Sequence, residues 1–128
     1  MEKFNEMING EQLTLVDFFA TWCGPCKMMH PILEQLKEKM GDDIRILKVD
    51  VDKNEALSMQ YRIQSVPTLM LFKKGEMLWR QSGAMSLNDL MKKIFAAAII
   101  ALLKTKSVPP HSFYVFLTHI AVTRHVTP

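Results

Sequence analysis

The chain has 128 residues and a mass of 14.7 kDa, enough for one domain and little more. Its 48% hydrophobic and 23% charged residues are those of an ordinary globular protein, which excludes disordered, collagen-like and disulfide-scaffold classes. The net charge of +3 is uneven: residues 1–89 hold every acidic side chain and sum to −2, whereas residues 90–128 sum to +5.

Met1 to Gly10 is polar and lacks the apolar run of a secretory signal, so a reducing, cytoplasmic setting is expected. Leu13 to Ala20 is a short apolar run, as a strand buried on both faces requires. Pro25 to Met40 repeats apolar residues at Met29, Ile32, Leu33, Leu36 and Met40, which predicts an amphipathic helix kinked at Pro31. Gly41, Asp42 and Asp43 break it. Ile44 to Val49 reads as a second buried strand, followed by a short helix from about Asn54 to Tyr61. Thr68 to Phe72 is a third strand, and Lys74-Gly75 turns it tightly into a fourth, Met77 to Gln81. Ser86, with Asp89 three residues on, resembles a capping box, and Leu87, Leu90, Met91 and Ile94 give the next helix one apolar face. This order predicts an α/β domain with a mixed sheet. The ten methionines fall mostly at core-periodic positions, so packing is their expected use.

Only two cysteines are present, and they lie three residues apart as Cys23 and Cys26. A bond between them closes almost no loop and removes little entropy from the unfolded chain, so chemistry explains them better than stapling does. Trp22-Cys23-Gly24-Pro25-Cys26-Lys27 leaves a strand and opens a helix, where unpaired N–H groups and the macrodipole stabilise an anion. A cysteine placed there loses its proton below the free-thiol value of about 8.5, and the thiolate is the nucleophile. Cys23, first and at the loop edge, is expected to be the exposed attacking sulfur, with Cys26 behind it on the same helical face. A zinc site lacks ligands: there is no second cysteine pair, and His30 is the only histidine before the C-terminal stretch. C-x-x-C after a strand in an α/β pattern is a redox signal.

Asp17 lies inside an apolar strand, where an unpaired carboxylate is disfavoured and its pKa should rise. On these residues alone, a structurally satisfied Asp17 and a proton carrier both stand, as do core packing and groove lining for Trp22. His30 is read as a helix-surface residue, and Lys73 and Lys74 as a solvated turn.

Residues 4–95 resemble the thioredoxin family. The resemblance rests on W-C-G-P-C-K at Trp22 to Lys27, Val16-Asp17-Phe18-Phe19, Val66-Pro67-Thr68, Phe72-Lys73-Lys74-Gly75 and Gly83-Ala84, in order and spacing. It implies a thioredoxin fold that reduces disulfides in partner proteins, with Cys23 attacking and Cys26 resolving. By the same resemblance Asp17 serves as base or acid for Cys26, and Lys48 lies close to Asp17. The Val66–Pro67 peptide bond is expected to be cis and to sit against the cysteines. Trp22, Gly24, Pro25, Val66, Pro67 and Gly83 are the expected substrate-binding residues. No bound cofactor is implied; electrons come from an NADPH-dependent thioredoxin reductase. A thioredoxin-fold binding or structural module without turnover is the alternative.

The resemblance begins at about Phe4, already in the family's first helix, so the first edge strand is missing and about four strands are expected. The last helix should stop near Ile94 to Ala97, which divides the chain into a thioredoxin domain, 1–98, and an apolar, basic extension, 99–128. The run from Ile94 to Leu103 is too short to span a membrane and has no polar face for a surface helix. No nucleic-acid partner is expected, because the basic residues are scattered. The extension is read as an accretion without a selected role, as cover for the domain, or as a means of self-association. Phe113 to Val122 has strand-like composition and could pair with Ile44 to Val49.

Overall fold

The computed structural model describes residues 2–105. Helix α1 (Glu2–Ile8) leads into β1 (Leu13–Phe19), α2 (Gly24–Met40) and a 3-10 turn at Gly41–Asp43. Then come β2 (Ile44–Asp50), α3 (Glu55–Gln60), β3 (Thr68–Lys73), β4 (Glu76–Ser82) and α4 (Leu87–Thr105). The four strands form one sheet in the order β2-β1-β3-β4. β1 runs parallel to β2 and antiparallel to β3, and β3 pairs antiparallel with β4.

Strand alternation sends side chains to two opposed cores. Leu13 and Leu15 of β1 and Leu69 and Leu71 of β3 meet Met29, Leu33 and Leu36 of α2 and Leu90 and Ile94 of α4. Their neighbours Val16, Phe18, Met70 and Phe72 face the other way, onto Phe4 and Ile8 of α1 and Leu57 of α3. Each fully buried Leu or Phe contributes roughly 1.5–3 kcal/mol through removal of its apolar surface from water. Both central strands are therefore buried on both faces, which is why their apolar residues show no alternation in the sequence.

Local chemistry sets the element ends. The Ser86 hydroxyl accepts the Asp89 N–H at 3.1 Å, the expected half of a capping box at the start of α4. In the β3–β4 turn, Lys74 and Gly75 both have positive φ, of 52° and 79°, as the tight primed hairpin turns require. Gly75 N–H and Lys74 N–H also donate to the Ile8 and Gly10 carbonyls, tying the hairpin to the end of α1.

Three expectations need correction. Helix α4 does not stop near Ile94 to Ala97 but continues to Thr105, since nothing between those residues breaks it and Ala97 and Ala98 still pack into the core. β2 is not buried throughout, since it lies at the edge of the sheet with Arg45 and Lys48 exposed; the methionines do mostly pack, with Met28, Met59 and Met77 exposed. Lys73 is half-buried at the end of β3 rather than part of a solvated turn. Among the described residues no helix is long and apolar enough to cross a membrane. The pairing considered for Phe113 to Val122 lies outside the described residues.

Candidate functional site

β1 and β2 are parallel, so their carboxyl ends, Phe19 and Asp50, lie side by side in register. The loops that leave those two ends build the site, as is usual for open parallel sheets. From β1 the chain passes Ala20 and reaches Cys23, which caps α2: its sulfur accepts the Cys26 N–H at 3.1 Å. Gly24 and Pro25 form the exposed first turn of the helix, with proline where its missing N–H does no harm. Cys23 and Cys26 are joined by a disulfide, with their Cα atoms 5.3 Å apart.

Cys23 is less open than its place at the loop edge suggests. It is 5% exposed, against 0% for Cys26, because Ala20, Phe19, Val51 and Val66 close around the couple. The order of access still puts Cys23 outermost. Its Sγ lies 3.6 Å from the Val66 carbonyl oxygen, which brings the segment before β3 against the cysteines. The Val66–Pro67 bond is cis, as the resemblance implies. The Pro67 carbonyl accepts the Gly83 N–H at 2.8 Å, and Gly83 has a φ of 97°, open to glycine and strained for other residues. Thr68 fixes the same corner, its hydroxyl 2.7 Å from the Ser65 carbonyl and 2.9 Å from the Ser82 hydroxyl.

Asp17 lies on the β1 face that carries Leu13 and Leu15, under α2. It is fully buried, and neither carboxylate oxygen has a hydrogen-bond partner. Burial pushes its pKa from 3.8 up to about 6, against the opposing pull of the Lys48 ammonium. Lys48 is its register partner on β2 and is exposed at the strand's edge.

Trp22 is 71% exposed, which rules out the core-packing reading. Its indole N–H donates to Asp52 Oδ2 at 3.0 Å. The sequence reading missed Asp52, which comes from the loop after β2; the signal was its place just past the end of a strand parallel to β1. It also missed Val51, whose N–H reaches the Phe19 carbonyl at 2.9 Å while its side chain packs on the cysteines. His30 is no surface residue: it is half-buried, stands edge-on to Phe19 at 5.9 Å, and buries Nε2 without a partner. The structure thus gathers Trp22, Cys23, Gly24, Pro25, Cys26, Val66, Pro67 and Gly83 at one end of the sheet. Asp17 and Lys48 lie on neighbouring strands that lead into it.

Comparison with known proteins gives the same picture. The family model "Thioredoxin" matches residues 1–96. A thioredoxin-like protein of Synechocystis is 47% identical over 92 residues, which cover 71% of this chain and 88% of that one. The chloroplastic thioredoxin Y of Oryza sativa is 41% identical over 99 residues, covering 77% of this chain; the chain spans only 59% of that relative's length. Among solved structures, oxidised mitochondrial thioredoxin 3 of Saccharomyces cerevisiae superposes with a TM-score of 0.68 at 35% identity, covering 74% of this chain and 88% of that one. With its bonded cysteine couple at the head of α2, the chain belongs to the thioredoxin family of dithiol–disulfide oxidoreductases.

Proposed function

We propose that this protein reduces disulfides in partner proteins and is itself re-reduced by an NADPH-dependent flavoprotein, a thioredoxin reductase. The observation that carries the reading is the capped couple: the N–H of Cys26 points at the sulfur of Cys23, where it can stabilise a thiolate. In the dithiol form, the Cys23 thiolate attacks one sulfur of the partner's disulfide. A mixed disulfide forms, and the partner's other sulfur leaves as a thiolate. Cys26 then gives up its proton, attacks Cys23 Sγ and expels the second partner thiolate. The partner has gained two electrons, and the Cys23–Cys26 bond has been remade.

Asp17 suits the proton step. With a pKa near 6 it is mostly ionised at pH 7, yet it is basic enough to take up the Cys26 proton. Lys48 favours the ionised form and so sets how readily Asp17 accepts. Trp22, Gly24 and Pro25 on one side, and Val66, Pro67 and Gly83 on the other, provide the surface for an extended stretch of substrate. A reducing compartment follows from this direction of flow, and the cytoplasm is the setting we propose.

The test is NADPH-coupled reduction of a disulfide-bonded protein in the presence of a thioredoxin reductase. Wild type should turn over and Cys23→Ser should not. Equal rates would leave only a binding module.

A further inference from the structure

His30 lies one helical turn beyond Cys26 on α2. Residues four apart on a helix stand about 5–6 Å from each other at Cβ. Helical side chains also lean toward the N-terminus, so the His30 ring lies over the turn that holds Cys26. A ring contact fits this placement. Phe19, at the end of β1, stands edge-on to the His30 ring with centroids 5.9 Å apart, and it also packs on the cysteine cluster. His30 is half-buried; its Nε2 is enclosed and, among the described residues, has no hydrogen-bond partner.

A buried nitrogen left without a partner is disfavoured, and the oxidised couple offers it none: Cys26 is bonded to Cys23 and carries no proton. Reduction gives Cys26 an S–H group, and a neutral imidazole with its proton on Nδ1 is an acceptor at Nε2. Asp17 lies on the sheet side of α2 and is fully buried, so a proton that it holds is shut off from water. His30 keeps part of its surface in water.

The charges around His30 set these groups apart. Asp17 on β1 and Lys48 and Asp50 on β2 share the sheet face under α2, while Lys27 and Glu34 flank His30 on the helix. Lys27, Glu34 and Lys48 are exposed and screened by water, as are Asp89, Lys92 and Lys93 of α4, which also packs on α2. Asp50 accepts the Asp52 N–H at 2.9 Å, and Asp52 in turn holds the Trp22 indole. Asp17 is the fully buried charge among them.

We propose that His30 is a second proton acceptor for the resolving step. The inference rests on the proposed exchange reaction. Nε2 takes the proton of the Cys26 thiol as that sulfur attacks Cys23 Sγ. The Cys26 electron pair forms the new S–S bond, the mixed-disulfide bond breaks, and the partner's sulfur leaves as a thiolate. The imidazolium then gives its proton to water on the exposed side of the residue, which restores the neutral ring.

The experiment mixes the reduced full chain with an excess of a symmetric disulfide of a short peptide, followed by rapid acid quench and mass spectrometry of the protein. Formation of the mixed disulfide reports attack by Cys23, and its loss reports attack by Cys26. His30→Gln keeps a polar side chain that accepts no proton. It should slow the loss about fivefold or more at pH 7 and leave formation within about twofold of wild type. In an Asp17→Asn background the remaining loss should slow below about pH 6.5, as imidazole protonates, and adding His30→Gln should abolish that pH dependence. Unchanged loss in His30→Gln would overturn the inference, as would equal slowing of formation and loss, or the same profile in both Asp17→Asn chains. A Cys26→Ser chain that forms no mixed disulfide would defeat the exchange reaction itself, and the inference with it.

Discussion

Asp17 and Lys48 are register partners across the parallel β1–β2 pair, yet no hydrogen bond joins the carboxylate to the ammonium. The lysine is exposed and its charge is screened by water, whereas the carboxyl is fully buried. Desolvation therefore outweighs attraction, and the folded protein holds the Asp17 proton up to a pH of about 6.

That imbalance has a thermodynamic sign. The folded-state pKa lies above the unfolded value of 3.8, so the folded protein is the better proton binder between them. Stability is unaffected by this group below pH 4, falls as pH rises through the window from 4 to 6, and stays lower above it. At 1.36 kcal/mol per unit the loss is about 3 kcal/mol. Asp17→Asn removes the loss: urea unfolding should show the variant about 1–3 kcal/mol more stable than wild type at pH 8 and no different at pH 4.

The same substitution should harm turnover. A side-chain amide in place of the Asp17 carboxylate cannot accept the Cys26 proton, so release of the mixed disulfide at pH 7 should slow by about tenfold or more. Stopped-flow measurement of that step across pH 6–9 checks it, and an unchanged profile would leave Asp17 a purely structural role.

The two cysteines should fail differently. Cys23→Ser removes the outermost sulfur and should abolish both attack and trapping. Cys26→Ser keeps the nucleophile but cannot resolve, so it should accumulate a mixed disulfide with partner proteins that reductant releases. Non-reducing gels after incubation with a disulfide-bonded protein distinguish the two. Equal trapping by both variants would overturn the assignment, which rests on a small difference in exposure, 5% against 0%.

Much of this was legible in the chain because each signal was local. The two central strands show as mainly apolar runs, the hairpin as Lys74-Gly75, the start of α4 as Ser86 with Asp89, and the redox couple as its own spacing. What escaped detection depends on contacts between segments distant in sequence. Asp52 reaches Trp22 only because β1 and β2 are parallel and end together, and no local pattern states that pairing. His30 occupies an ordinary helix-surface position by periodicity, and only the edge of Phe19 draws it inward. The end of α4 departs from the length that the resemblance implies because the residues themselves, rich in alanine and leucine, simply continue a helix.

The Trp22–Asp52 bond gives a prediction about binding rather than chemistry. It holds an exposed indole in a fixed position at the rim of the site. Asp52→Asn weakens a charge-assisted bond to a neutral one, a change on the order of 1 kcal/mol. The KM for a protein disulfide should rise about two- to fivefold with kcat little altered, whereas Trp22→Ala should raise it further. Steady-state kinetics with the reductase in excess separate the two constants.

The last prediction concerns the two faces of the end of α4. Helix α4 crosses residue 98 without interruption and keeps two faces beyond it: Leu102 packs against the core that holds Ala97 and Ala98, while Ile100 and Leu103 stand 53% and 74% exposed. A charge at Ala98 would enter the core without a partner, and Ala98→Asp should cost several kcal/mol or prevent folding. Leu103→Asp places its charge in water and should change stability by less than about 0.5 kcal/mol. We propose self-association through the exposed apolar side chains at that end of the helix, which Leu103→Asp should weaken. Urea titration and sedimentation of both variants give the two readouts. A loss of stability in Leu103→Asp as large as that in Ala98→Asp would mean that this outer face is covered as well. Unchanged sedimentation would remove self-association from this face.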